Sequence, residues 1–138
     1  MEFHKFFYFY KMENTYFRGE SSKKGLGFLL SLAGLLLFMI MGIGIDVDQY
    51  LQHRDKDIII PDWYFYIIFI IDALIIISIA LIFFYKKAGV ILFPVFTLMH
   101  FIVHMYFLDT FLYSDVTALF MYVGIALLAI IPKWQYFK

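Results

Sequence analysis

The sequence predicts an all-α membrane protein, a four-transmembrane-helix bundle with both chain ends in the cytoplasm. Of its 138 residues, 64% are hydrophobic and 16% are charged, whereas soluble domains contain about 45–50% apolar and about 25% charged residues. A core of this size cannot bury so much apolar surface, so lipid must cover part of it. Four apolar stretches are long enough to span a bilayer, at about residues 25–45, 62–85, 90–108 and 116–131.

Residues 1–24 precede the predicted membrane domain (25–138) and combine aromatic with basic side chains. Both types of side chain suit the lipid headgroup region, and the same composition is compatible with a partly disordered tail. We expect this segment to be cytoplasmic. Translation could also begin at Met12.

The first span contains small residues that share one helical face. Gly27, Ser31 and Gly34 follow each other at spacings of four and three residues, which places them on the same side of a helix. Gly124 lies in a similar small-residue patch on the fourth span. Because small side chains let a second helix approach closely, these are predicted helix-packing positions, and we expect a homo-oligomer or a larger membrane complex.

The segment 46–61 is predicted to be a polar, acidic loop. Its two Asp-x-Asp pairs, Asp46 with Asp48 and Asp55 with Asp57, have the alternate spacing of calcium ligands. They lack the glycine and the terminal glutamate of an EF-hand, so calcium binding is not favoured.

Short connections and prolines delimit the remaining spans. Asp62 complements the positive end of the helix dipole where the second span begins. Residues 85–89 form a turn so short that the second and third spans must be an antiparallel hairpin. Pro94 either starts the regular helix of the third span or kinks it, and Pro132 ends the fourth span.

The basic residues are unevenly distributed between the two sides of the predicted membrane domain. Cytoplasmic loops are enriched in Lys and Arg. With the N-terminus inside, the inside segments hold nine basic residues and the outside loops hold two. The inside residues are Lys5, Lys11, Arg18, Lys23, Lys24, Lys86, Lys87, Lys133 and Lys138, and the outside residues are Arg54 and Lys56. This bias predicts an N-in, C-in orientation.

Three ionisable residues, Asp72, His100 and His104, interrupt the apolar stretches. Such groups usually face a bundle interior or a water-filled cavity. Asp72 lies about 15 Å below the outer end of the second span, and His100 about 13–14 Å below that of the third. The two side chains are therefore predicted to be neighbours. His104 lies one helical turn nearer the outer surface, on the same face as His100 and Thr97.

Two interpretations of this polar site are open. In the structural one, a buried Asp72–His100 pair locks two helices together. In the functional one, protons or an ion move outward through His104, because histidine can relay protons. A metal ion held by His100, His104 and Asp72 is a weaker candidate. A bis-histidine haem is not favoured, since two residues on one helical face cannot bind opposite sides of one iron.

The sequence offers little support for catalysis. The chain has no cysteine, which excludes disulfides and thiolate metal sites. It also lacks a serine with a nearby base, a glycine-rich phosphate loop and a basic patch for nucleic acid, and we expect no cofactor. The four-span layout resembles that of small bacterial inner-membrane proteins, including the DoxX-like group, although no family motif accompanies it.

We therefore predict a small non-enzymatic accessory protein or subunit that acts through helix packing in the cell membrane, the inner membrane of a bacterium. The alternative is a proton- or cation-handling membrane protein that uses the intramembrane Asp/His site.

Overall fold

The computed structural model describes residues 21–53, 60–108 and 113–138, which form four α-helices and no strand. The helices are α1 (Leu26–Gln52), α2 (Asp62–Phe83), α3 (Lys87–Leu108) and α4 (Tyr113–Lys133), and a 3-10 turn at Trp134–Tyr136 follows α4. All four α-helices are long and apolar enough to cross a membrane. The predicted all-α architecture with four candidate membrane spans is thus confirmed.

Some predictions fall on other parts of the chain. The first twenty residues, including Met12, lie outside the described residues, as do Asp55 and Asp57 of the calcium hypothesis. The two basic residues assigned to the outside, Arg54 and Lys56, also lie outside them.

Helix α1 is longer than predicted, because it runs to Gln52 rather than ending at residue 45. The prediction of a loop from residue 46 onward is therefore wrong for its first seven residues. The helix continues because its last two turns still pack inward: Asp46 is buried, and Tyr50 contacts Phe65 with ring centroids 5.3 Å apart. His53 caps the helix, and its backbone N–H donates to Gln49 O over 2.9 Å.

A turn of three residues, 84–86, connects α2 to α3 and makes them an antiparallel hairpin. Lys86 N donates to Leu81 O and Tyr85 N donates to Ile82 O, both over 2.9 Å. This is the Schellman pattern of a helix C-terminus, which needs a left-handed residue one position after the cap. Tyr85 occupies that position with φ of 57°. The predicted turn, 85–89, shares residues 85 and 86 with the observed one; it began one residue late, and residues 87–89 belong to α3.

Tyr85 is held in this conformation, which tyrosine rarely adopts, by its ring contacts. Its ring centroid lies 5.2 Å from that of Phe28 and 5.5 Å from that of Phe137. Its hydroxyl donates to Ser22 O over 3.2 Å. Aromatic packing from both ends of the described chain thus offsets the backbone cost at this turn.

The chain ends and the α2–α3 turn meet at one end of the bundle. Lys87 N donates to Lys138 O, and Lys138 N donates to Tyr85 O, both over 2.9 Å. The Lys133 ammonium donates to Ser21 O over 2.7 Å. The Lys24 ammonium lies 3.7 Å from the centroid of the Phe83 ring, where α2 ends. Lysines of three separate segments therefore share this end, which we call the basic end.

Pro94 and Gly89 both lie inside α3. The helix begins at Lys87, seven residues before Pro94, so of the two alternatives for Pro94 the helix start is wrong and the kink stays a prediction. Gly89 lies in the first turn of α3 and is buried. A Cβ at Gly89 would lie only 2.7 Å from Ser78 O and from Ile82 N, so glycine allows α3 to approach α2 closely.

The interior contains two apolar clusters. The larger cluster joins all four helices and reaches the basic end; it comprises Phe28, Leu32, Leu35, Met39, Ile71, Ile75, Ile79, Ile82, Phe93, Ala126, Ala129, Ile130 and Phe137. The smaller cluster is centred on Tyr64, Phe65 and Ile68. Helix α2 is the most buried, and α1, α2, α3 and α4 contact each other in a ring.

Candidate functional site

A polar cluster of Asp46 (α1), Asp72 (α2) and His100 (α3) lies at the junction of the two apolar clusters. His100 Nε2 lies 3.1 Å from Asp46 Oδ2 and 3.3 Å from Asp72 Oδ1. The side chains of Asp46 and Asp72 are 4% and 3% exposed, and that of His100 is 22% exposed. Three helices thus place one imidazole between two buried carboxyl groups.

The register of the α2–α3 hairpin brings Asp72 and His100 together. Asp72 precedes Tyr85, in the middle of the turn, by 13 residues, and His100 follows it by 15. At 1.5 Å per residue the two side chains lie at nearly the same height above the turn. These two residues, which the sequence places at similar depth, are in contact in the structure.

Asp46 completes the cluster, and the sequence analysis missed it because it assigned this residue to a loop. A signal was available. Ile43, Asp46, Tyr50 and His53 recur at spacings of three and four residues, which indicates that one helical face continues past residue 45. Since a polar residue at the end of an apolar stretch normally marks the end of a span, the aspartate concealed this pattern.

The two contacts of His100 differ in kind. The contact with Asp46 has hydrogen-bond geometry. The contact with Asp72 has the distance of an ion pair, but both buried carboxyl oxygens of Asp72 lack a hydrogen-bond partner among the described residues. An unsatisfied buried polar group costs about 1–3 kcal/mol, and more when it is charged. Asp72 therefore has unused capacity to accept a donor or a cation.

The cluster faces a cavity of about 260 Å³ that residues from all four helices line. The lining residues with ionisable or hydroxyl side chains are Asp46, Asp72, Thr97, His100, His104, Asp115 and Tyr122. Its other walls are apolar and include Phe38, Met41 and Leu119. Within residues 21–53, 60–108 and 113–138, no Lys or Arg lines this cavity. The cavity can therefore be negatively charged, and among its described lining residues only the two imidazoles can offset that charge.

Thr97 and His104 both line the cavity, as the shared helical face suggested, but neither belongs to the polar cluster. The Thr97 hydroxyl donates to Phe93 O, one turn earlier on α3, over 2.7 Å. The His104 ring centroid lies 5.9 Å from that of His100. His104 lies between His100 and the end of α3 that is remote from the basic end, where Asp115 in the first turn of α4 also lines the cavity.

The structure assigns different ligands to the weak metal candidate of the sequence analysis. One ligand atom each from Asp46, Asp72 and His100 lie within 4.8 Å of one another. Among the described residues, His104 is not part of such a group. The group with this geometry thus differs from the predicted set of His100, His104 and Asp72, because Asp46 takes the place of His104; metal binding by either set stays a prediction. The i, i+4 spacing of the two histidines placed them on one face, but their side chains do not converge.

The predicted helix-packing glycines are not closely approached by another helix within the described part of the chain. A Cβ added at Gly27, Gly34 or Gly124 would have no heavy atom within 4 Å outside its own helix backbone and chain neighbours, and Ser31 is half-buried. The close approaches occur elsewhere. At Gly42, for example, a Cβ would lie 3.0 Å from Tyr122 Oη. Packing of the predicted residues against another chain stays a prediction.

A second polar contact joins α1 and α2 at the end remote from the basic end. His53 Nε2 lies 2.8 Å from Asp62 Oδ1, and His53 Nδ1 contacts Tyr50 O. The His53 side chain is 5% exposed, whereas that of Asp62 is 55% exposed. Both ring nitrogens are occupied by protein groups, so we interpret this contact as a tie between helix ends.

The sequence matches no family model, and no curated protein or solved structure is significantly similar to the chain. The geometry of the site therefore carries the functional argument by itself.

Proposed function

We propose that this protein handles protons or a small cation inside the membrane, and that it does so through the cavity between its four helices. One observation carries the proposal: three aspartates and two histidines line the cavity, and none of the described residues that line it is a Lys or an Arg. Ionisable groups at membrane depth are costly and commonly mark ion or proton pathways. The sequence predicts this function as the alternative to an accessory role, and the geometry of the cavity supports it more than it supports the accessory role.

The arrangement of the ionisable groups suggests a route. Asp115 and His104 lie toward the end of the bundle that is remote from the basic end, and His100, Asp46 and Asp72 lie deeper. A cation would meet carboxylates at both depths, and imidazoles at both depths can pass protons. Beyond the cluster, toward the basic end, the larger apolar cluster fills the interior. This route therefore supplies access to the site from one side.

The proposal includes the N-in, C-in orientation in the cell membrane, the inner membrane of a bacterium. It is supported by the lysines gathered at the basic end, because cytoplasmic segments are rich in Lys and Arg. The chain has no cysteine, so Lys87→Cys and Lys56→Cys each introduce a unique thiol. An impermeant maleimide should label only the Lys56→Cys variant in intact cells. Labelling of the Lys87→Cys variant in intact cells would reverse the orientation.

Ion movement is tested with purified protein in liposomes that contain a pH-sensitive dye. A proton gradient is imposed, a potassium gradient with valinomycin balances the charge, and the decay of the pH difference is recorded. The wild type should dissipate the gradient faster than protein-free liposomes. Asp72→Asn and His100→Ala should reduce the rate to background, since an amide and a methyl group cannot titrate. Cation flux is measured in parallel with entrapped metal-sensitive dyes.

Asp48→Asn is the matched control. Asp48 lies on α1 two residues from Asp46, but it is exposed and bonds to Gln52 on the same helix. This variant should behave as the wild type does. Size-exclusion chromatography and circular dichroism establish that every variant folds. Background flux of both protons and cations in a folded wild type would remove the transport proposal and favour a structural lock.

An accessory role through helix packing is the second candidate, because the glycines at 27, 34 and 124 leave space that no described residue fills. Small residues on a lipid-facing surface permit close association of helices. Gly34→Leu should leave the monomer fold unchanged and weaken any homo-oligomer or complex that survives mild detergent. A wild type that is monomeric and without a partner in native membranes as well as in detergent would remove this role.

A further inference from the structure

We infer that the cavity binds one divalent transition-metal ion, such as Zn²⁺, through Asp46 Oδ2, Asp72 Oδ1 and His100 Nε2. This inference deepens the proposed function, on which it rests, because it names the class of cation that the site accepts. The three residues come from α1, α2 and α3, so an ion held by all three also joins these helices.

The distances between the ligand atoms suit a tetrahedral ion. Metal–ligand distances of about 2.0–2.1 Å for Zn²⁺ with nitrogen and oxygen ligands place neighbouring ligand atoms of a tetrahedron about 3.3–3.4 Å apart. His100 Nε2 lies 3.1 Å from Asp46 Oδ2 and 3.3 Å from Asp72 Oδ1, and one ligand atom from each of the three residues lies within 4.8 Å of the others.

A second observation points to a ligand independently of these distances. Asp72 is 2% exposed, and neither of its carboxyl oxygens has a hydrogen-bond partner among the described residues. Buried polar groups in native proteins are satisfied in the great majority of cases. Asp72 Oδ1 lies at ion-pair distance, 3.3 Å, from His100 Nε2, but without a hydrogen bond. Because Asp72 lines the cavity, an ion placed there would bind this carboxylate directly, in addition to that ion pair.

The ligand types select the class of ion. Calcium prefers six or more oxygen ligands, and magnesium prefers an octahedron in which most ligands are water. A site with one imidazole and two carboxylates suits Zn²⁺, Mn²⁺, Fe²⁺ or Co²⁺. Three protein ligands leave a fourth position open, and the cavity lies on that side. A bound ion could therefore exchange its remaining ligand with water, as an ion in transit requires.

The groups around the cluster favour a cation as well. Asp115 lines the same cavity near the end of the bundle, and the lining residues that the structure describes include no Lys or Arg. His104 lies next to His100, with ring centroids 5.9 Å apart, but it does not belong to the group of three ligands.

Equilibrium metal binding tests this inference on the full chain in lipid nanodiscs, with any affinity tag removed and bound metals stripped with a chelator. Isothermal titration calorimetry with Zn²⁺ should show one site per chain. Titration with Co²⁺ should show the visible absorption bands of a four-coordinate ion. Mg²⁺ and Ca²⁺ at equal concentration should not displace Zn²⁺.

Three ligand variants and two controls locate the site. Loss of a residue that only hydrogen-bonds to a metal ligand lowers metal affinity about 10–100-fold. Loss of a ligand itself should cost at least about that much, so Asp46→Asn, Asp72→Asn and His100→Ala should each weaken Zn²⁺ binding to this extent. Asp48→Asn should bind as the wild type does, and His104→Ala should change affinity by no more than a few-fold. Wild-type affinity in all three ligand variants, or no Zn²⁺ binding by the folded wild type, would overturn the inference.

The outcomes separate this inference from the proposed function. Zn²⁺ binding that depends on the three ligands, without flux of protons or metal in liposomes, removes transport and leaves a resident metal site. Proton flux that depends on Asp72, without Zn²⁺ binding, removes the metal site and leaves a proton pathway. Folded protein with neither property removes both.

Discussion

Replacement of Gly89 by alanine should destabilise the α2–α3 hairpin, because α3 approaches α2 most closely there. A Cβ at this position would lie 2.7 Å from Ile82 N, Leu81 Cβ and Ser78 O. Two of these atoms are backbone and the third is attached to it, so no flexible side chain can move away. Gly89 does not have positive φ, so alanine adds no backbone strain. The expected cost is steric alone.

The magnitude follows from a comparison with Gly27→Ala. Gly27 also lies in the first turn of its helix, and a Cβ there has nothing within 4 Å. The gain in helix propensity from glycine to alanine, about 1 kcal/mol or less, is similar for both variants and cancels in their difference. Overpacking costs about 1–3 kcal/mol. The two variants should therefore differ in their unfolding equilibrium by about 5- to 150-fold.

Reversible unfolding in mixed detergent–SDS micelles, followed by tryptophan fluorescence, measures this difference. Trp63 on α2 contacts Phe107 on α3, with ring centroids 5.0 Å apart, so its emission reports on the hairpin. Equal stability of Gly89→Ala and Gly27→Ala would refute the close approach of the two helices, and so would a Gly89→Ala protein that is more stable than the wild type.

Three further stability predictions use the same unfolding assay. Gly42→Ala places a Cβ 3.0 Å from Tyr122 Oη and should cost about 1 kcal/mol of stability. In a Tyr122→Phe background this cost should be smaller. Equal costs in both backgrounds would contradict this contact. Tyr122→Phe alone should cost about 0.5–1.5 kcal/mol because the hydrogen bond to Phe38 O is lost. Phe137→Ala should cost about 3–5 kcal/mol, since Phe137 is 3% exposed. Phe84→Ala, at the same end but 63% exposed, should cost about 0.5 kcal/mol or less, and similar costs for the two phenylalanines would contradict the burial of Phe137.

The number and type of the helices were predictable because bilayer thickness imposes a length on each apolar stretch. The α1 boundary was not, and the reason is physical. Asp46 at the end of an apolar stretch reads as the start of a polar loop, and its burial is compensated by His100, 54 residues later. A compensation between residues so distant in sequence has no local signature.

The candidate site was predictable to the extent that a short turn fixes register. Asp72 and His100 belong to one hairpin with a three-residue connection, so counting residues from the turn gives their relative depth. No such connection ties α1 to α2, where residues 54–59 intervene, and the depth of Asp46 relative to Asp72 could not be counted. The pairing between consecutive, tightly connected helices was therefore accessible from sequence, while the third member of the cluster was not.

The roles of Tyr85 and Gly89 illustrate a similar limit. Glycine is the usual left-handed residue after a helix, so the sequence favours Gly89 as the turn residue. The structure places Tyr85 in the left-handed conformation, with φ of 57°, because its ring packs against Phe28 and Phe137. Gly89 is instead required for a close contact between helices. Tertiary packing assigned both roles, and neither follows from local preference.

A structural lock and a binding site require opposite properties of the polar cluster. A lock stabilises two helices only if it satisfies every buried polar atom, because a buried ion pair seldom exceeds the stability of an apolar pair of the same size. Asp46 and His100 meet that requirement in part, but the carboxyl oxygens of Asp72 do not meet it among the described residues. The apolar clusters on either side of Asp72 can offset the destabilisation caused by its unsatisfied oxygens. A cation in the cavity would remove the cost by binding the carboxylate, and the free energy released would then appear as affinity for the ion.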